Sequence, residues 1–207
     1  MDTTTITPVT DRDAFLHGVA AQLRQGDAAL ALALTDLDDF AAINRTYGRD
    51  VGDAVLATWD RVLRANVASG ASVVRLGGDE FAIVLPGTSA ETAVVLLDEL
   101  RRHLAGLTIE GLTDSVSASV GVAANPPHGT TAQQLYRAAG EALMRAKRDG
   151  RDRVAMYVEE KMILKSNYYS KANLERLAKL SSATDRTEAS LLREALDDLL
   201  DKHKEAL

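Results

Sequence analysis

The chain has 207 residues, a net charge of −6 and no cysteine. These exclude disulfide scaffolds, thiol catalysis and cysteine-ligated metal centres, and argue against non-specific coating of nucleic acid. Apolar residues at 46% against 26% charged mark a globular chain, large enough for one ordinary domain and a small one. No run approaches 18 consecutive apolar residues, and no basic stretch followed by an apolar core opens the chain. Neither a membrane span nor a signal peptide is therefore expected, and the expected location is cytoplasmic.

In chain order, residues 12–25 carry Phe15, Leu16, Val19 and Leu23 at helical spacing. Residues 28–37 form a nearly continuous apolar run that ends in carboxylates, the pattern of a buried central strand. Two helices follow at 40–46 and 51–67, punctuated by Gly48 and Gly52. Residues 73–76 and 81–85 are β-rich runs on either side of Gly77-Gly78, which predicts a hairpin. A helix over 89–104, a strand over 116–123, a helix over 131–148 and a strand over 153–158 complete the pattern. Helices alternating with strands, without a Gly-rich loop after the first strand, predict a mixed α/β (α+β) fold with helices packed on a sheet, not a doubly wound nucleotide fold.

A second module begins near residues 159–161. Residues 1–160 hold 22 acidic and 15 basic side chains, and only Lys147 among those basic residues is lysine; residues 161–207 hold 8 and 9, mostly lysine. The domain boundaries expected are thus 1–160 and 161–207. The second module reads as a strand at 162–169 and helices at 171–180 and 188–204, with Ser170 and Thr187 as N-caps. So small a unit buries little core alone and should dimerise.

Chemistry concentrates at two acidic clusters. Asp36-Leu37-Asp38-Asp39-Phe40 ends the first strand, and Gly77-Gly78-Asp79-Glu80-Phe81 forms the hairpin. A Gly-Gly hairpin alone is more often structural, and acids at strand ends are usually solvated. Two such clusters at adjoining sheet positions instead suit Mg²⁺, while Lys147 and Arg151 at a helix end suit phosphates. Carboxylates, metal and a basic clamp without a P-loop suggest nucleotidyl transfer on a palm-like sheet.

Residues 77–81 spell GGDEF, and the segment resembles the signature of the GGDEF diguanylate cyclases, which condense two GTP into cyclic di-GMP. The resemblance covers about residues 9–158. It extends through Asp36 to Phe40, Asn44, Gly48, Gly52 and Asp53, then Ser119-Val120-Gly121, and the closing helix through Lys147 to Arg151. It implies a palm-like, nucleotidyl-cyclase-type sheet containing antiparallel strands and flanked by helices. It also implies Mg²⁺, with Mn²⁺ as a substitute, held by Asp36, the Leu37 carbonyl and Asp79. Glu80 would assist deprotonation of the 3′-hydroxyl or metal binding. Gly77 and Gly78 would admit the triphosphate, Asn44 and Asp53 would read guanine beside Phe40, and Lys147 and Arg151 would hold the terminal phosphates. Each subunit would bring one GTP, so two domains must face each other.

Departures from the family pattern are Ala41, Arg45 and Arg49, none of them a metal ligand. The N-terminal family element survives only around Val9-Thr10 and Arg12, so no input from that side is expected. Ala68-Ser69-Gly70-Ala71 stands where the family has its inhibitory RxxD motif. The four histidines show no metal-ligand spacing.

The second module resembles the ribbon-helix-helix family over residues 162–204, by pattern alone. The resemblance implies a homodimer clamp, giving a tetramer if the linker at 158–162 is too short for catalytic domains to face within one clamp. It equally allows a DNA reader. Binary pattern leaves Lys165 and Asn167 to contact bases; the usual spacing to the helix cap turns Leu164, Ser166 and Tyr168 outward instead. Two readings of the whole therefore stand. One is a dimeric diguanylate cyclase. The other is a transcriptional regulator whose GGDEF domain senses GTP or cyclic di-GMP and whose ribbon-helix-helix binds DNA.

Overall fold

The computed structural model describes residues 10–25, 29–159, 168–184 and 186–204. Two compact units divide the chain, Met1–Glu160 and Lys161–Leu207. Among the described residues no helix is long and apolar enough to cross a membrane.

The first unit runs α1 (Arg12–Gln25), β1 (Leu30–Leu37), α2 (Phe40–Tyr47), α3 (Arg49–Asn66), β2 (Ser72–Gly77), β3 (Glu80–Pro86), α4 (Ala90–Ala105), β4 (Ala118–Asn125), α5 (Ala132–Arg148) and β5 (Val154–Met156). The sheet order is β2-β3-β1-β4-β5. β1 lies at its centre, antiparallel to β3 and β4, while β4 and β5 pair in parallel. The antiparallel-containing sheet flanked by helices matches the expected fold class. The predicted strand boundaries at 116–123 and 153–158 shift by a few residues, the usual fraying of short elements.

Alternation along β1 assigns its two faces. Ala31, Ala33 and Leu37 join Trp59 and Leu63 of α3 and Leu97 and Leu104 of α4 in one core. Leu30, Leu32 and Leu34 join Phe15 and Val19 of α1 and Leu135, Ala139 and Leu143 of α5 in the other. β1 is therefore apolar at every position except Thr35 and Asp36, because both of its faces are covered.

Helix ends are capped by the residues the sequence supplies. Ser89 Oγ accepts from Thr92 N at the start of α4. Thr131 and Gln134 form a capping box on α5. α5 also lies unusually close to the sheet: a Cβ on Gly121 of β4 would stand 2.1 Å from Ala139 O and Leu143 N. Only glycine permits that approach, which fixes α5 and, one turn beyond Leu143, Lys147.

In the second unit, α6 (Lys171–Thr184) and α7 (Glu188–Lys202) form a helical hairpin. Ser170 Oγ accepts from Asn173 N and Thr187 Oγ1 from Ser190 N, so both expected caps form. The predicted strand falls mostly outside the described residues, as do Lys165 and Asn167; Tyr168 to Ser170 are irregular.

Candidate active site at the carboxylate end of the central strand

β1 delivers its carboxylates where the hairpin delivers its own. Asp36 pairs in register with Glu80 on β3 and with Ser119 on β4. Gly77 is the last residue of β2 and pairs with Glu80, so the turn expected at Gly77-Gly78 falls one residue later, on Gly78 and Asp79. Gly78 stands at φ 48°, a left-handed conformation that glycine adopts without cost. Arg75 Nε donates to Gly78 O at 2.8 Å and staples the turn from inside. The irregularity between Arg75 and Gly77 marks the local bulge.

Electrostatics confirm the crowding. Asp79 is pushed above the ordinary carboxylate range, first by burial and then by the Asp36 charge. Glu80 is raised for the same two reasons in the same order. Lys147 answers that charge: its Nζ stands 2.8 Å from Asp36 Oδ1. Asp36, Asp79, Glu80 and Lys147, distant in sequence, therefore share one corner of the sheet. Arg151 stays at the rim, its Nε 4.0 Å from Asp39 Oδ1, with both side chains largely exposed.

The guanine-reading candidates lie on the next two helices. Phe40 opens α2 and packs on the first core, while Asn44 is half-buried. A Cβ on Gly52 would meet Asn44 Oδ1 at 1.9 Å, so the Asn44 amide lies directly on Gly52. Asp53 follows on α3 and is exposed. Tyr47 Oη reaches Thr113 Oγ1 at 2.8 Å and Asp114 Oδ2 at 2.7 Å, which ties the end of α2 to the loop before β4.

Several neighbours were not singled out by sequence. Tyr136 of α5 faces Glu80, and burial with the Glu80 charge pushes its phenol upward. Arg12 stacks over the Tyr136 ring at 4.5 Å from its centroid, and Phe15 meets that ring edge-on. Asp38 is 6% exposed and accepts from Ser117, Ser119 and the Asp152 amide. The DxD spacing flagged Asp38 as acidic, but a strand-end aspartate gives no sign of which donors it will meet.

Residues 2–153 match the family described as Diguanylate cyclase, GGDEF domain. The chain belongs to that family. The GGDEF unit is similar to diguanylate cyclase DgcM of Escherichia coli, with 39% identity over 124 residues, 60% of this chain and 30% of DgcM. It superposes on the GGDEF domain of YfiN (TpbB) from Pseudomonas aeruginosa with a TM-score of 0.69 and 29% identity, covering 76% of this chain and 100% of that domain. The active GGEEF domain of a diguanylate cyclase from Vibrio cholerae gives a TM-score of 0.68 and 27% identity, over 74% and 100% of the two chains. The chain spans about a third of the length of the curated relatives it matches.

Proposed function

We propose that the protein is a Mg²⁺-dependent diguanylate cyclase acting as a homodimer in the cytoplasm. The observation that carries this is the convergence of Asp36, Asp79 and Glu80 with Lys147 at one sheet corner. DgcM and the Vibrio cholerae domain, both diguanylate cyclases by name, supply the reaction class. Among the described residues no three histidine or acidic side chains already converge in metal-holding geometry. The donor chemistry nevertheless fits a divalent cation: two hard carboxylates, Asp36 and Asp79, repel each other, with the Leu37 carbonyl adjacent in sequence and one ammonium as local counter-charge. Mn²⁺ would suit the same oxygen set. The cation, when bound, supplies charge neutralisation at the reacting phosphate.

In this reading the 3′-hydroxyl of one GTP attacks the α-phosphate of the other and pyrophosphate leaves, twice per product. Glu80, raised by burial and by the Asp36 charge, accepts the hydroxyl proton more readily than an ordinary glutamate. Gly77 and Gly78 keep side chains clear of the triphosphate, and Lys147 and Arg151 hold its terminal phosphates. Asn44 and Asp53 read guanine, with Phe40 beside them. Incubation of the pure protein with GTP and Mg²⁺, with products resolved by mass, tests the proposal; GTP left intact, or converted only to GDP, rejects it.

The second unit we propose to be a ribbon-helix-helix dimerisation clamp. Leu174 and Leu180 on α6 and Leu196, Leu199 and Leu200 on α7 are all more than 40% exposed in the single chain. Burying them against a second copy would stabilise a unit with little core of its own. Dimers of clamped dimers, hence tetramers, follow if facing catalytic domains belong to different clamps. The regulator reading adds DNA contact through Lys165 and Asn167. Salt-sensitive binding to an operator fragment, lost in the Lys165→Ala, Asn167→Ala double variant, is its signature.

A further inference from the structure

Of the Asp36–Asp39 cluster, Asp38 is the buried carboxylate to which the site gives no role. Asp38 is not presented to a ligand: Oδ1 accepts from Ser119 Oγ at 2.7 Å, and Oδ2 accepts from Ser117 Oγ at 2.9 Å and from Asp152 N at 3.0 Å. Its own amide donates to Ser117 O. Both oxygens of this buried carboxylate are engaged by donors of the protein itself, so its hydrogen-bonding role is internal.

Its third donor is the informative one. Asp152 lies in the turn between α5 and β5, which carries Gly150 at φ 114°, Arg151 at φ 61° and Asp152 at φ 48°. Two consecutive non-glycine residues in the left-handed region persist only when their surroundings hold them there. The holding bonds are visible. Arg151 N donates to Ala146 O, and Val120 N donates to Arg153 O where the turn leads into β5. Asp152 N donates to Asp38 from below, and Arg101 Nη1 of α4 reaches Asp152 Oδ1 at 2.5 Å from the other side. Arg101 is itself oriented by Asp98 and is only 12% exposed along its side chain. The turn so fixed starts two residues after Lys147 and contains Arg151.

From this we infer that Asp38 is a positioning residue for the triphosphate. Its carboxylate pins the Asp152 amide, which sets the left-handed turn and so places Arg151, and the end of α5 that carries Lys147, where phosphates arrive. Arg101 is the second pin. The inference rests on the cyclase reading for what those cations hold, and on the hydrogen bonds alone for the pinning itself. Two serine hydroxyls can rotate to suit a new partner, whereas the Asp152 amide has a fixed direction. An oxygen acceptor at position 38 is therefore what the turn needs, and its charge is secondary.

The test compares Asp38→Ala, Asp38→Asn and Arg101→Gln in the full chain. Three quantities are read: GTP affinity by titration with Mg²⁺, KM against kcat, and hydrogen exchange in the peptide containing Asp152. Asp38→Ala is expected to weaken GTP about tenfold or more, mostly in KM, and to speed exchange at Asp152. Asp38→Asn retains one oxygen and should recover most of both. Arg101→Gln should weaken GTP several-fold. A folded Asp38→Ala protein with GTP affinity within twofold of wild type overturns the inference, as does an Asn variant no better than Ala. Loss confined to kcat in proportion to the folded fraction also overturns it, since that is the signature of a merely structural role. If Asp38→Ala does not fold, Arg101→Gln decides: unchanged GTP affinity with unchanged exchange overturns the inference. A wild-type protein that binds GTP but forms no cyclic product rejects the cyclase reading instead, and the pinning is then judged on affinity and exchange.

Discussion

Lys147 and Asp36 meet at 2.8 Å although they stand 111 positions apart in the chain. One stands at the C-terminal end of α5, the other at the end of the central strand, and Gly121 is what brings them together. By letting the α5 backbone rest on β4, it sets the helix at a depth from which the lysine reaches the aspartate. The pair balances charge on a partly exposed corner, with 36% and 19% of the two side chains accessible. Its worth to stability is correspondingly small. Its value lies in position.

Loss of the hairpin charges should abolish turnover and spare the fold. Asp79 and Glu80 are both half-buried and raised mainly by desolvation, so their charged forms cost stability where they stand. Asp79→Asn or Glu80→Gln should thus melt at or above the wild-type temperature. Removing transition-state electrostatics of this kind costs roughly 3–4 kcal/mol, on the order of a thousandfold in rate. Cyclic di-GMP formation and thermal melting, measured side by side, check both halves. Near-normal synthesis by either variant would remove that residue from the chemistry.

Two glycines should respond to the same substitution in opposite ways. At Gly121 a methyl group would land 2.1 Å from backbone atoms of α5, which cannot move without lifting the helix. Gly121→Ala should lose about 3 kcal/mol or more and fail to accumulate as folded protein. At Gly52 the obstacle is the amide end of Asn44, a side chain free to swing away. Gly52→Ala should fold, yet displace the group proposed to read guanine, raising KM for GTP and narrowing the preference over ATP. Unfilled hydrogen bonds discriminate strongly, so a tenfold loss of preference is the scale to look for. Asp53→Ser should shift the same ratio; full discrimination in both variants would place base reading elsewhere.

A pH effect should trace to His128. Its Nδ1 accepts from Ala124 N at 3.1 Å, which requires an unprotonated nitrogen there, and burial lowers its pKa below 6.5 despite the opposing Glu91 charge. In the unfolded chain the ring protonates first as pH falls, so the folded state loses stability from about pH 6.5 downward through the folded pKa. Above that window the contribution is fully present. His128→Asn keeps an acceptor without titrating. Between about pH 7.5 and 5.5 the wild type should lose more melting temperature than this variant; equal losses would assign the dependence to other groups.

The strands, the hairpin and the paired acids were legible because they follow from short-range rules. Apolar continuity in β1, glycine at the hairpin and hydroxyl caps at Ser170 and Thr187 are each local statements. Lys147 was legible as a cation at a helix end, and its partner Asp36 as a strand-end acid. What sequence could not supply was the company each side chain keeps. The partners of Asp38 lie 79, 81 and 114 positions away, and Tyr136 finds Glu80 only because α5 crosses back over the sheet. Such contacts depend on packing, and no periodicity announces them. Sequence also named Arg12 as part of a surviving family element without indicating that it would stack on Tyr136.

The dependence of activity on protein concentration should reveal what the second unit contributes. In the proposed cyclase reading each catalytic domain offers one nucleotide and needs another facing it, so the rate would follow the population of facing pairs. Residues 1–160 form a compact unit with two cores of their own, which predicts that a chain ending at Glu160 folds. Without the exposed leucines of α6 and α7 it should be mainly monomeric. A covalently attached dimerisation unit turns the encounter of two domains into an intramolecular one, at an effective concentration that can reach the order of millimolar for short linkers. The shortened protein should therefore be nearly silent at nanomolar concentration, with activity per molecule rising as its concentration rises. The full chain should hold a constant specific activity over the same range, and its mass in solution should correspond to a dimer or a tetramer. Sedimentation and specific activity measured across a dilution series distinguish the cases. If the shortened chain keeps full activity when dilute, the clamp is not what pairs the domains. DNA binding by the second unit would then become the reading to pursue, with the Lys165→Ala, Asn167→Ala protein as its control.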